Sequence, residues 1–199
     1  MNHPAKDKKI IFRNQKETLL QQKGKVIWLT GLPCSGKTTL AVRLEKELFD
    51  KGFLIRILDG DNVRTGINNN LGFSEADRLE NIRRIAEISK LFVECGVITI
   101  NGFVSPTESL RTMAKEIIGD EDFIEVYVNS PLEVCEQRDV KGMYRKARAG
   151  MIKEFTGVSS VFEEPLHADI EIRTDLLNIE QSVMKILEYI LPQIKYDNV

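Results

Sequence analysis

The stretch GLPCSGKTT, residues 31–39, constrains the chain more than any other feature. It fits the G-x-x-x-x-G-K-[ST] phosphate-loop pattern, which works only between a strand and a helix. The flanks meet that demand. KVIWLT, residues 25–30, is a short apolar run of strand type, and the residues after the loop place Leu40, Leu44 and Leu48 at a helical period. Gly31 and Gly36 allow turns that aim backbone N–H groups inward, and the helix beginning near Lys37 adds its positive end. Lys37 is set to reach the β- and γ-phosphates of ATP, and Thr38 to offer a hydroxyl to Mg²⁺. Leu32, Pro33, Cys34, Ser35 and Thr39 complete the expected nucleotide cradle, with Pro33 removing one N–H from it. Cys34 reads as a small space-filler beside the phosphates.

Further strand-like runs follow at FLIRILD (53–59), VITINGF (97–103), FIEVYV (123–128) and HADIEIRT (167–174). Helical periods separate them. SEADRLENIRRIAEISKLFVECG has Ser74 at its N-cap with Asp77 three residues on, and NIEQSVMKILEYILPQI has Asn178 at its N-cap. A short helix is expected over Gln15–Gln22 and another over PLEVCEQRD. Strands alternating with helices predict an α/β phosphate-loop NTPase fold of three layers, with a mostly parallel five-stranded sheet and helices on both faces. Ligands in such sheets sit at the carboxyl ends of the strands. GLPCSGKTT, DGDNVR and NGFVSPTE each follow a strand, so three motifs converge on one rim.

Composition excludes several functions. The net charge is −2 and the pI about 5.8, so there is no global basic field for nucleic acid. No apolar run approaches a membrane span or a signal peptide, which points to a cytoplasmic protein without a membrane partner. Cys34, Cys95 and Cys135 form no zinc pattern, and His3 and His167 are the only histidines. At 199 residues the chain buries roughly two-thirds of its unfolded surface without a staple.

A phosphate loop serves switches, motors and kinases alike. There is no N-K-x-D guanine reader and no LSGGQ-like signature, and a motor would usually be longer. A small-molecule kinase needs an acceptor pocket, a base and a lid. Asp59 and Asp61 of DGDNVR are candidates, one for Mg²⁺ through water and one for the proton of an attacking hydroxyl. The competing reading is a polar turn in which Asp61 and Asn62 cap the next helix. The long aperiodic stretch from Asp139 to Pro165 reads as a mobile lid. Residues 138–150 hold Arg138, Lys141, Arg145, Lys146 and Arg148 against one acid, Asp139, a charge set suited to transferring phosphates.

LDGDNVRTGINNNLGFSEADRLENIRRIAEISKL, FVSP, FIEVYVNSPLEVCEQRDVKGMYRKARAGMIKEFTG and SSVFEEP, with the loop, resemble the adenylyl-sulfate kinase family from about Lys23 to Thr174. The resemblance implies an arm over residues 1–24 and a phosphate-loop kinase domain over 25–199, with its lid at about 138–165. It implies phosphoryl transfer from MgATP to the ribose 3′-hydroxyl of adenylyl sulfate. Lys37, Asp61 and Ser105 would be catalytic, with Asp61 as base or, with Thr38, as Mg²⁺ partner. Arg64, Arg78 and Asn81 would hold the phosphosulfate, and Phe73 and Phe155 would sandwich the adenine. Val104, Ser105 and Lys141 would also meet the acceptor, and Arg138 would lie over the ATP side. Arginine forks suit sulfate and phosphate oxygens. A homodimer, and adenylyl sulfate supplied by a separate ATP sulfurylase, are implied as well. Ser105-Pro106 reads as a helix start, serine at N-cap and proline at N1, so capping with substrate contact is preferred to a covalent carrier.

The chain departs from the family pattern at Pro33-Cys34, at Asn101-Gly102 and at Thr107-Glu108, all expected on the rim, while Arg111 is kept. A Glu108 pointing inward would oppose an anionic acceptor. A kinase for another nucleotide, or a nucleotide-binding module without turnover, therefore stands beside the first reading.

Overall fold

The computed structural model describes residues 10–196. The first nine residues of the expected arm, His3 among them, lie outside the described residues. The elements in chain order are α1 (Arg13–Leu20), β1 (Val26–Thr30), α2 (Lys37–Asp50), β2 (Ile55–Asp59), α3 (Gly60–Thr65) and α4 (Glu75–Glu94). They continue with β3 (Ile98–Gly102), α5 (Glu108–Ile118), β4 (Phe123–Asn129), α6 (Leu132–Arg138), α7 (Met143–Arg148), β5 (Ile170–Arg173) and α8 (Ile179–Ile194).

The five strands form one sheet in the order β2-β3-β1-β4-β5, and every pairing is parallel. The sequence of β1 explains its central place. VIWLT is buried at every position, as a strand covered on both faces must be. Its side chains alternate between two cores. Ile27 and Leu29 pack with Leu40, Leu44 and Leu48 of α2 and Ile186 and Ile190 of α8. Val26 and Trp28 pack with Ile82 and Ile85 of α4 and Leu110 and Ala114 of α5. Truncating one such leucine, Leu44 for example, removes about 2–5 kcal/mol. The expected three layers are therefore present. The chain order reverses around β1, which opens a crevice at its carboxyl end.

The helix ends follow their caps. Ser74 accepts from the Asp77 N–H at 3.2 Å, and Asn178 and Gln181 cap α8 reciprocally. Each cap contributes roughly 1 kcal/mol. Two expectations and one competing reading need correction. The first helix runs Arg13–Leu20 rather than Gln15–Gln22, because Gln21 turns left-handed (φ 53°) and Gln22 leaves for the sheet. The Gln22 amide spans the chain before β2 and β3, bonding Leu54 O at 3.0 Å and Gly96 O at 2.8 Å. The helix after β3 starts at Glu108 with Thr107 as N-cap, not at Ser105. Finally, Asp59 caps α3, in place of Asp61 or Asn62.

Candidate active site

The phosphate loop leaves β1 at Gly31. A Cβ there would lie 2.4 Å from the carbonyl oxygen of Val128, and φ is 149°, so only glycine passes. The loop closes with the Ser35 N–H on Leu32 O at 3.1 Å. Lys37 Nζ donates to the carbonyls of Gly31 at 2.8 Å and Leu32 at 2.7 Å. Burial lowers its ammonium to about 8. Cys34 stands in the left-handed region at φ 61°, and burial raises its thiol, so it is a protonated filler at neutral pH.

Thr38 and Asp59 form the second part. Thr38 Oγ1 donates to Asp59 Oδ2 at 2.8 Å, while Asp59 Oδ1 accepts from the Asp61 N–H at 3.0 Å. One carboxylate thus ties the start of α2 to the end of β2 and orients Asp61. Asp61 itself is exposed and paired with Lys141 from the start of the expected lid. That contact raises the Lys141 ammonium. Asp59 was legible only as one of two carboxylates, and its hydrogen bond to Thr38 singles it out. A hydroxyl beside a carboxylate is the hard-oxygen donor set that Mg²⁺ takes alongside phosphates.

The third part carries positive charge. Arg64 and Arg78 are close enough that the charge of Arg78, after burial, pushes the Arg64 guanidinium down. Arg64 lies 4.4 Å over the exposed Phe73 ring and donates to Leu71 O and Gly72 O. Arg78 reaches the segment expected to form the lid, donating to Thr156 Oγ1 at 2.8 Å and to the Glu154 carbonyl. Asn81 is buried and accepts from Asn68 Nδ2 at 3.0 Å. Phe155 meets Tyr144 edge-on at 5.0 Å, and Tyr144 donates to the Pro33 carbonyl at 3.0 Å. That contact docks α7 on the phosphate loop. Arg138 rests on the loop's other side, on Thr174 Oγ1 at 3.1 Å and Thr174 O at 2.7 Å. Thr174 in turn holds Ser35 O at 2.7 Å. The basic cluster is divided: Arg138 and Lys141 face the loop and Asp61, whereas Arg148 pairs with Glu136.

Val104 and Ser105 complete the rim. Val104 O accepts from Thr30 Oγ1 at 2.8 Å. Ser105 is 2 % exposed, left-handed (φ 42°), and its Oγ accepts from Trp28 Nε1 at 2.9 Å. A hydroxyl so enclosed is turned into the protein, so the N-cap assignment fails and a carrier role gains nothing. The departures at the rim also change meaning. Asn101 is fully buried and donates to Ser89 Oγ at 2.7 Å, which places it in the interior. Thr107 caps α5. Glu108 pairs with Arg111 at 2.7 Å and does not present an uncompensated charge.

Known proteins resemble this chain along most of its length. The family model described as adenylylsulphate kinase matches residues 23–173. An adenylyl-sulfate kinase of Bacteroides fragilis is 56% identical over 186 residues, covering 94% of this chain and 92% of that protein. The structure of the Mycobacterium tuberculosis APS kinase in complex with AMPPNP and APS superimposes with a TM-score of 0.80 at 40% identity, covering 83% of this chain and 96% of that one. A hexameric APS kinase from Thiobacillus denitrificans gives 0.65 at 25% identity, covering 87% of this chain and 30% of that one.

Proposed function

The chain belongs to the adenylylsulphate kinase family, and on that premise we propose that it transfers the γ-phosphoryl group of ATP to the ribose 3′-hydroxyl of adenylyl sulfate, giving 3′-phosphoadenylyl sulfate and ADP. The observations that carry the reading are the Asp61–Lys141 pair and two neighbouring guanidiniums, Arg64 and Arg78, in a chain that also has a phosphate loop. A donor site, a carboxylate and an anion site then share one rim.

Each residue has a task in this reading. Residues 31–39 and Arg138 hold the nucleotide, and Lys37 exchanges the Gly31 and Leu32 carbonyls for phosphate oxygens. Thr38 supplies a metal ligand, with Asp59 or Asp61 bound through water. Those residues would hold Mg²⁺, which would supply positive charge for phosphoryl transfer. Arg64, Arg78 and Asn81 hold the phosphosulfate, and Phe73 and Phe155 flank the adenine. Asp61 accepts the 3′-hydroxyl proton, and Lys141 moves from Asp61 toward the transferring group. The rest of residues 138–165 excludes water as a lid. Direct in-line transfer needs no covalent intermediate, so Ser105 contributes its position rather than its oxygen. We further propose a homodimer in the cytoplasm, fed with adenylyl sulfate by a separate ATP sulfurylase. Among the described residues, no helix is long and apolar enough to cross a membrane.

ADP release with MgATP tests the reading, with adenylyl sulfate, AMP and cytidine nucleotides offered as acceptors. Selective turnover of adenylyl sulfate is expected. Asp61→Asn should lower kcat by about 10²–10⁴-fold, the range for a lost general base, while nucleotide still binds. Turnover confined to another acceptor, or none with any, would sink the assignment.

A further inference from the structure

Arg111 lies on α5 and is 2 % exposed, one of the largest fully buried side chains. Its guanidinium works in three directions. Nη1 donates to Ser105 O at 3.0 Å, Nη2 donates to Glu108 Oε2 at 2.7 Å, and Nε lies 3.0 Å from Glu125 Oε1. The last contact is an ion pair without an aligned hydrogen bond. Burial pushes the Glu125 carboxyl up, and Arg111 pulls it back. A buried ion pair is a poor way to gain stability, since apolar residues of equal volume often serve as well. Its geometry is the better guide to its use.

That geometry ends at the Val104–Ser105 turn. A left-handed non-glycine residue is strained and persists only where its surroundings over-determine it. Three groups do so here: Arg111 on Ser105 O, Trp28 Nε1 on Ser105 Oγ, and Thr30 Oγ1 on Val104 O. The same cluster reaches the far end of the lid. The Glu163 N–H donates to Pro106 O at 2.8 Å, and Glu163 Oε2 accepts from the Glu108 N–H at 2.7 Å. Glu108 is therefore gripped by Arg111 through its side chain and by Glu163 through its backbone.

We infer that Arg111 is a positioning residue: it fixes the Val104–Ser105 turn against the acceptor and, through Glu108 and Glu163, ties that turn to the lid. The inference rests on the proposed acceptor role of that turn. Glu108, a departure from the family pattern, becomes the middle link of this tie.

The test uses Arg111→Lys, which keeps the charge but has one nitrogen for three acceptors. The KM for adenylyl sulfate should rise by about tenfold, the loss of one charge-assisted hydrogen bond, while the KM for ATP stays within about twofold. A merely structural defect would move both together, and that result, or two unchanged constants, overturns the proposal. Trp28 is the only tryptophan in the chain, so its emission reports on the turn in the free protein. It should shift to the red in Arg111→Lys, and unshifted emission overturns the clamp. Glu163→Ala changes an exposed side chain and covers the case in which Arg111→Lys does not fold. Its KM for adenylyl sulfate should rise by roughly three- to tenfold with ATP unaffected. An unchanged acceptor KM there overturns the tie to the lid. Wild-type protein inert toward adenylyl sulfate would refute the assigned reaction, and the Trp28 emission of the variants would still decide the clamp.

Discussion

Lys37 shows how one residue couples charge to binding. Its ammonium is buried against the carbonyls of Gly31 and Leu32, and burial lowers it to about 8. Phosphate oxygens favour the charged form, so bound nucleotide raises that value again. Between the two values the complex holds more protons than the free protein. Nucleotide binding measured calorimetrically about half a unit above pH 8 should therefore take up roughly three-quarters of a proton, seen as a dependence on buffer ionisation heat. The uptake should vanish about two units lower, where Lys37 is charged in both states. Buffer-independent heats at the higher pH would show that the loop does not depress Lys37. In the free protein the sign for folding also follows. The folded value lies below the unfolded one of about 10.4, so stability rises with pH across that window. The sequence made Lys37 and Thr38 legible because the loop pattern fixes their roles. The motif alone left Asp59 and Asp61 equivalent and the family resemblance favoured Asp61, since only distance reveals that Thr38 bonds Asp59. Ser105 was misread for a related reason. Ser-Pro fits a helix start in any chain, and the Trp28 indole that captures the hydroxyl lies 77 residues away in sequence.

At the scale of elements, the strands and long helices were legible because their apolar periods survive at every turn. The segment between α6 and β5 was not. Within α7 only Tyr144 and Ala147 are buried, too few to set a period. Its place depends instead on contacts with the loop and the start of α6: Tyr144 on Pro33 O, and Gly157 over Leu32 and Leu132. Gly157 has φ 88°, and a Cβ there would lie 3.0 Å from Leu32 Cδ2 and 3.2 Å from Leu132 Cδ1. Gly157→Ala meets both left-handed strain and crowding, and should weaken docking of this segment by about 1–2 kcal/mol. As the proposed lid, the segment would open without the sheet, as a local unit. Proteolysis within it should then quicken by about tenfold while the midpoint of global unfolding hardly moves. An unchanged cleavage rate would mean that Leu32 and Leu132 simply move aside and the lid does not rest on this contact.

Across the whole molecule, the sheet separates two tasks. The site occupies the carboxyl edge of the strands. The described part of the N-terminal arm fastens the opposite edge, where Gln22 bridges the chain before β2 and β3 and the Lys23 N–H donates to Ile194 O at 2.8 Å. Arg13 is the anchor of α1, holding Asp122 at the start of β4 and the Gly24 carbonyl at 3.0 Å. Burial alone would raise the Asp122 carboxyl, but the hydrogen bond and charge of Arg13, with Lys25, outweigh it and hold it below its ordinary value. A carboxyl depressed in the folded state stabilises above its unfolded value and loses that contribution as pH falls through the folded one. Arg13→Ala should therefore cost about 1 kcal/mol in urea unfolding at neutral pH, a partly exposed pair being partly screened. The gap from wild type should begin to narrow below about pH 3.9, where unfolded aspartate takes its proton. Both KM values should stay at wild-type levels, because no part of this contact reaches the phosphate loop, Asp61 or the Ser105 turn. A raised KM for either substrate would show that the two edges of the sheet are coupled, and the arm would then belong to the catalytic machinery rather than to the frame that carries it.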